Sequence, residues 1–310
     1  MRIAVLYTGE LRTINKTMKW FIKNILKANT NNTVHVFATL QGDIKEYYDW
    51  ISDSLGEHLQ SLNIFNKDDA LWNKIKEGTS SCMNLPTDVS LYLTTRSGSM
   101  IEHYQTYLSY LDMVRKENET GIEYDYVIRT RPDVLIAQPI DFHWLDWKEN
   151  DILQRIGSDI TEQSLKEFMC TMLYDKRILI QDNISNTQIN ETEFTNCIRT
   201  KHIGDILNYI RHGRYIITMR ENQSIIARRQ CFYTIPSIGT MYGTYRTNSD
   251  HWYDSESQLR GVCKYSGISI FDYTTTLEAS SIFQYNPDNF FDVFGNLRAD
   301  NNILFFLVRT

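Results

Sequence analysis

The feature that most restricts the fold is an alternation of two periodicities along the opening stretch. Arg2–Tyr7 (RIAVLY) is a continuous apolar run bounded by Thr8-Gly9, the pattern of a strand buried on both faces. Thr13 then stands as a candidate N-cap. Ile14, Met18, Phe21, Ile22 and Ile25 follow as an apolar stripe at helical spacing, with Lys16, Lys19, Lys23 and Lys27 on the opposite, wet face. Thr33–Leu40 (TVHVFATL) repeats the strand pattern, and Asp43–Leu55, carrying Tyr47, Trp50 and Ile51, repeats the helix. Strand–helix–strand–helix order calls for an α/β fold: a mixed, mostly parallel, Rossmann-like sheet flanked by helices. Ligands of such sheets sit beyond the carboxyl ends of the strands, which makes Gly9 and Arg12 candidate contacts.

A second stretch, Glu123–Ile136 (EYDYVIRTRPDVLI), points to the same edge. Its tyrosines and the Val127-Ile128 pair favour a buried strand, and Pro132, which cannot donate to a ladder, ends the regular pairing. Side chains alternate along a strand, so Val127, Arg129 and Arg131 share one side, and Asp133 joins them if the extension persists. Two cations and an acid at a strand end suit a phosphorylated ligand, held by the guanidinium forks and through a divalent metal on the carboxylate. The same residues also suit a salt-bridge network. Arg131 stands where a metal-binding Asp-x-Asp pair has its first acid, so the two arginines would equally neutralise a diphosphate without metal.

Further along, the signal is uneven. Residues 56–95 give only a helical piece near Asp68–Glu77 and a polar loop at 84–86. Ser99–Glu102 fits a capping box, and Ile101, Tyr104, Leu108 and Leu111 continue it as a helix to about Lys116. Pro139–Trp147 is aromatic, and residues 151–215 mix helical stripes (Leu165, Phe168, Met169, Met172) with an asparagine-rich connection. Ser224–Thr234, Ser269–Tyr273 and Ile303–Val308 are strand candidates, and Ser237–Tyr245 a short helix. Ser255-Glu-Ser-Gln258 is a second capping box, opening a helix through Leu259, Val262 and Cys263.

The approach to that helix, Asp250-His-Trp-Tyr-Asp-Ser-Glu256, packs three acids, a histidine and two aromatics into seven residues. With Ser255 as cap, Glu256 takes the first helical position, where the macrodipole keeps a carboxylate ionised and fit to act as a general base. Trp252 offers a face on which a sugar ring can stack. A helix capped with acids for stability alone has the same pattern. Arg228-Arg229 suit a phosphate, an acidic acceptor or plain solvent. His251 suits a metal or a simple hydrogen bond.

The totals narrow the classes. A formal net charge of −6 without a long basic tract argues against nucleic acid as a partner. No apolar stretch approaches the roughly 20 residues of a membrane span. Met1–Tyr7 lacks the form of a secretory signal. The 5 cysteines are scattered, with no CxxC pair, as in reduced cytoplasmic proteins. Neither G-x-x-x-x-G-K nor G-x-G-x-x-G occurs after a strand.

Ile3–Thr13 (IAVLYTGELRT) and Tyr124–Asp133 (YDYVIRTRPD) together resemble a group of GT-A-type glycosyltransferases. These occur in large DNA viruses such as the chlorella viruses and in bacterial polysaccharide loci, the WavE-like lipopolysaccharide-synthesis proteins. Trp252–Leu259 (WYDSESQL) is similar to the acid-bearing helix start that follows the acceptor region in many GT-A enzymes. The resemblance implies one GT-A-like domain over 1–310, with a nucleotide-sugar-binding half (1–136) and an elaborated acceptor-binding half (137–310). It implies a nucleoside-diphosphate sugar such as a UDP-sugar as donor and a glycan or glycoprotein as acceptor. Thr8, Gly9 and Arg12 would then contact the nucleotide, and Arg129, Arg131 and Asp133 the diphosphate and its Mn²⁺ or Mg²⁺. Glu256, or failing it Asp254, would be the base of an inverting transfer; a retaining transfer needs no such base. The expected location is cytoplasmic, the host cytoplasm for a viral protein. Two other readings compete with this one. A phosphohydrolase of the haloacid-dehalogenase type needs an aspartate where Tyr7-Thr8-Gly9 stands. A non-catalytic carbohydrate-binding or virion structural protein on a related fold needs no catalytic residue.

Overall fold

In the computed structural model, which describes residues 1–66, 98–136, 139–140, 142, 214–219, 223–240, 254–273 and 305–307, strand β1 (Arg2–Glu10) is the hub of the sheet. It pairs in parallel with β2 (Thr33–Gln41) on one side and β4 (Tyr126–Thr130) on the other. Beyond β2 lies parallel β3 (Leu59–Phe65). Beyond β4 lie β7 (Ser224–Arg228), antiparallel to it, then β6 (Tyr215–Met219) and β8 (Ser269–Tyr273). Among the described residues the sheet has seven strands in the order β3-β2-β1-β4-β7-β6-β8, and of these β7 alone opposes the common direction. The short β5 (Val134–Ile136) pairs with β9 (Phe305–Leu307) in a separate two-stranded sheet.

Alternation along β1 divides the core. Ile3, Val5 and Tyr7 face α1 (Ile14–Phe21) and α2 (Ile44–Leu55), and with Phe21, Ile25, Ile51 and Leu55 they form one apolar cluster. Ala4 and Leu6 face the other way. They pack with Met100 and Met113 of α3 (Gly98–Thr120), Phe232 of α4 (Arg229–Phe232), and Leu259 and Val262 of α5 (Ser255–Ser266). Helices therefore cover both faces, as the opening periodicities require. A 3₁₀ turn (Leu11–Thr13) leads into α1, and a π turn (Ile22–Leu26) and a second 3₁₀ turn (Lys27–Asn29) prolong it. Among the described residues no helix is long and apolar enough to cross a membrane.

Several boundaries differ from the sequence expectation. β1 continues past Tyr7 to Glu10 because β2 stays in register with it as far as Gln41. Thr13 precedes α1 but makes no capping hydrogen bond. Thr17 Oγ1, one turn on, donates instead to the Pro132 carbonyl at 2.5 Å and ties α1 to the segment after β4. Asp43 does cap α2, accepting from Lys45 N at 2.8 Å. β3 and β6 were not anticipated. Ser224–Thr234 is divided between β7 and α4, and a 3₁₀ turn at Ile235–Gly239 replaces the start of the expected Ser237–Tyr245 helix. The expected features at 68–77, 84–86, 143–147 and 151–213, along with His251 and Trp252, lie outside the described residues.

Candidate functional site

The chain steps outward from β1 to β2 to β3. Then α3 returns it to β4, on the other side of β1. The strand order thus changes direction between β1 and β4, and the carboxyl ends of these two neighbours flank the switch point where doubly wound sheets bind ligands. Thr8, Gly9 and Arg12 come from the first end, and Arg129, Arg131 and Asp133 from the second.

Gly9 explains how the two ends meet. Its φ is +136°, and a Cβ there would stand 3.1 Å from Pro132 Cδ and 3.6 Å from the Arg131 side chain. Glycine takes this φ without strain and lets the segment after β4 lie against the end of β1, where a Cβ would press on Pro132. On that contact Arg12 Nη2 donates to Asp133 Oδ2 at 3.0 Å, and Arg12 Nη1 lies 3.6 Å from Glu10 Oε2. Gln105 Nε2 of α3 donates to the Gly9 carbonyl at 3.4 Å.

Behind this contact the charges interlock. Arg131 donates to Asp133 through Nε (2.8 Å) and Nη2 (2.6 Å), and through Nη1 to Glu102 Oε2 at 3.2 Å. Arg129 donates to Glu102 Oε1 at 2.5 Å and to Thr8 Oγ1 at 3.0 Å. Side-chain exposure falls from 36% at Arg12 to 13% at Arg131 and 3% at Arg129. Arg12 is therefore the guanidinium most open to a ligand, and Arg129 is committed to the interior. Burial opposes ionisation of Glu102, but Arg129 and Arg131 outweigh it and hold its pKa below the usual carboxylate value. At Asp133 burial likewise yields to Arg131 and Arg12, and the pKa is lowered. Burial also works against the charge on Arg131, yet Glu102, Asp133 and, at longer range, Glu256 raise its pKa overall.

The influence of Glu256 on Arg131 brings α5 into the group. Asp254, not Ser255, is the N-cap: its Oδ1 accepts from Ser257 N at 2.6 Å, so Glu256 is the second residue of the helix rather than the first. Asp and Ser cap equally well, and the sequence holds them side by side. Asp254 spends its carboxylate on the cap, and Glu256, two positions on, is half-buried. Ser255 Oγ lies 2.9 Å from His103 Nε2, fastening the start of α5 to α3 beside Glu102. Both are buried, and burial pushes the His103 pKa down to about 4, so the imidazole is neutral at pH 7.

Glu102 and His103 were not among the expected site residues. The signal for Glu102 lay in the arginines: two cations on a buried strand demand a buried acid. Arg228 and Arg229 belong elsewhere. β7 runs against β4, and its end, Arg228, registers with Tyr126 at the far edge of the sheet. There Arg229 makes a bidentate pair with Glu117 at 2.8 and 2.9 Å.

Asp133 is engaged by arginines: Oδ1 accepts from Arg131, and Oδ2 accepts from both Arg131 and Arg12. Three bonds leave one lone pair of the carboxylate, on Oδ1, and among the described residues no group of three or more His, Cys, Asp or Glu stands together to complete a metal site. The site as it stands is a polar cluster in which arginines are the cations. It can present Arg12 and Arg131 to an anion, with the charge of Glu256 acting on Arg131. No protein-family model matches the chain, and no curated protein matches it significantly.

Proposed function

We propose that the chain is a GT-A-like glycosyltransferase that moves a sugar from a nucleoside-diphosphate sugar, such as a UDP-sugar, to a hydroxyl of a glycan or glycoprotein. The observation that carries this reading is convergence at the switch point of the sheet. Arg12 bonds Asp133 across 121 positions, Ser255 bonds His103 across 152, and Glu102 beside that histidine pairs with Arg129 and Arg131, so the described parts of the three stretches that resemble GT-A enzymes gather at one edge.

In this reading the diphosphate enters beside Arg12 and Arg131, whose forks exchange part of their carboxylate contacts for phosphate oxygens. As the bond to the sugar breaks, the same forks stabilise the charge that gathers on the departing diphosphate. Glu102 and Arg129 hold Arg131 in place from behind, and Thr8 anchors Arg129. Gly9 keeps the two walls together. Glu256, in the first turn of α5, takes the proton of the attacking hydroxyl in an inverting transfer. Asp133, which holds both arginines, would also be the residue to bind Mn²⁺ or Mg²⁺, a cation that would add to the charge stabilisation at the diphosphate. The cytoplasm, where nucleotide sugars are made, is the proposed location.

One observation favours a second reading, a non-catalytic carbohydrate-binding or virion structural protein on a related fold: the acids of the cluster already neutralise its arginines. Incubation with UDP- and GDP-sugars, with and without Mn²⁺, separates the two. The transferase reading expects release of nucleoside diphosphate from at least one donor, lost on Arg131→Ala. Absence of turnover, together with absence of a thermal shift by any nucleoside diphosphate, supports the second.

A further inference from the structure

We infer that the outward face of α1 and the turns that prolong it docks the protein on an anionic lipid surface. From Leu11 to Gly42 the sequence holds Arg12, Lys16, Lys19, Lys23 and Lys27 and not one Asp or Glu. The rest of the chain has 27 lysines and arginines against 38 acids. Arg12 is paired with Asp133 and Glu10, so the surface cations of this stretch are its four lysines, with no acid among them in the sequence. Lys16, Lys19, Lys23 and Lys27 are all exposed, while Ile14, Met18, Phe21 and Ile25 between them are buried against the sheet. The apolar stripe is therefore spent largely on the core, and the charged row faces outward with Asn15 beside it.

Two of the lysines are also aligned. The Lys19 and Lys23 ammonium groups stand 5.4 and 5.3 Å from the Trp20 ring centroid, which holds both side chains over one indole. A row of four lysines on a helix surface suits a plane of anionic headgroups, each cation strengthening attachment by about fivefold. Single-stranded nucleic acid is the poorer match. It needs exposed aromatic rings on which bases stack, and Trp20 and Phe21 on this helix are 5% and 2% exposed. The inference does not depend on the transferase reading, since it rests on charge and exposure alone.

The test is co-sedimentation of the full chain with phosphatidylcholine vesicles prepared with and without phosphatidylserine, at low and at raised salt. Attachment to the phosphatidylserine vesicles only, released by salt, is expected. The variant K16Q/K19Q/K23Q/K27Q should weaken it by about 10³-fold while its circular-dichroism melting curve stays that of wild type. The double variant K16Q/K27Q, which keeps both lysines over Trp20, should lose about 30-fold and serves if the quadruple change disturbs the helix. Equal attachment to neutral vesicles, no attachment to either kind, or full attachment by both variants overturns the inference. So does tight binding of a single-stranded oligonucleotide in the absence of vesicle binding.

Discussion

Arg12 Nη2 and Asp133 Oδ2 stand 3.0 Å apart, and this bond joins the turn after β1 to the segment after β4. Asp133 is 2% exposed and is held by Arg131 as well, so the contact is an interior junction and not a surface pair.

Asp133→Asn should therefore destabilise the fold as well as the site. It leaves Arg131 facing an uncharged amide, and breaking a buried pair from one side costs about 3–5 kcal/mol. The Arg12 share of that is smaller, because its side chain is more than one-third exposed. Urea unfolding measures the loss, and a change below about 1 kcal/mol would show the junction to be as weak as a surface ion pair.

Gly9→Ala should cost about 1–3 kcal/mol through its positive φ, with a further penalty from the 3.1 Å approach to Pro132. Thermal unfolding reports it. An unchanged midpoint would mean that the two strand ends part freely and that no shared wall exists.

Much of the layout was legible before the structure. β1, β2 and α2 announce themselves through unbroken apolar runs and periodic aromatics. Pro132 marked the end of β4, and alternation put Arg129 and Arg131 on one side. β3 was hidden because LQSLNIF lies at the edge of the sheet, half-buried for most of its length, and lacks the apolar continuity of a central strand. The placing of Arg228 and Arg229 could not be read because strand direction is invisible in β7: the same residues in a parallel strand would have reached the site edge. Glu102 was concealed within a helix, where it reads as a capping residue, and its partners lie on β4 and just past its end, 27 and 29 positions later.

Acid should unfold the protein from two sources. Between pH 6.5 and about 4, His103 binds more protons unfolded than folded, so its contribution to stability is complete above 6.5 and is lost as pH falls toward 4. Glu102 and Asp133, whose pKa values are lowered from 4.5 and 3.8, stabilise above those values and withdraw that support below them. Melting temperatures across this range should rise with pH, and His103→Gln should flatten the upper part of the curve. A pH-independent wild-type melt would contradict the burial of this imidazole.

Glu102→Gln and Glu117→Gln form a matched pair. Each removes the acid from a largely buried arginine contact, one at each edge of the sheet, and each should cost a few kcal/mol, of the order of 3. Only Glu102→Gln should also alter the thermal shift produced by nucleoside diphosphates. Equal effects of both on ligand response would place the binding site away from the β1–β4 edge.

The most direct measurement is calorimetric titration of UDP and GDP into wild type and Arg12→Ala. Arg12 is the most exposed member of the cluster, so its loss disturbs the interior least. Saturable binding of at least one diphosphate to wild type, weakened about 10- to 100-fold by the substitution, is the result expected of a guanidinium that grips the ligand. Binding that is absent from wild type, or equally tight in Arg12→Ala, would contradict a pyrophosphate site at the meeting of β1 and β4.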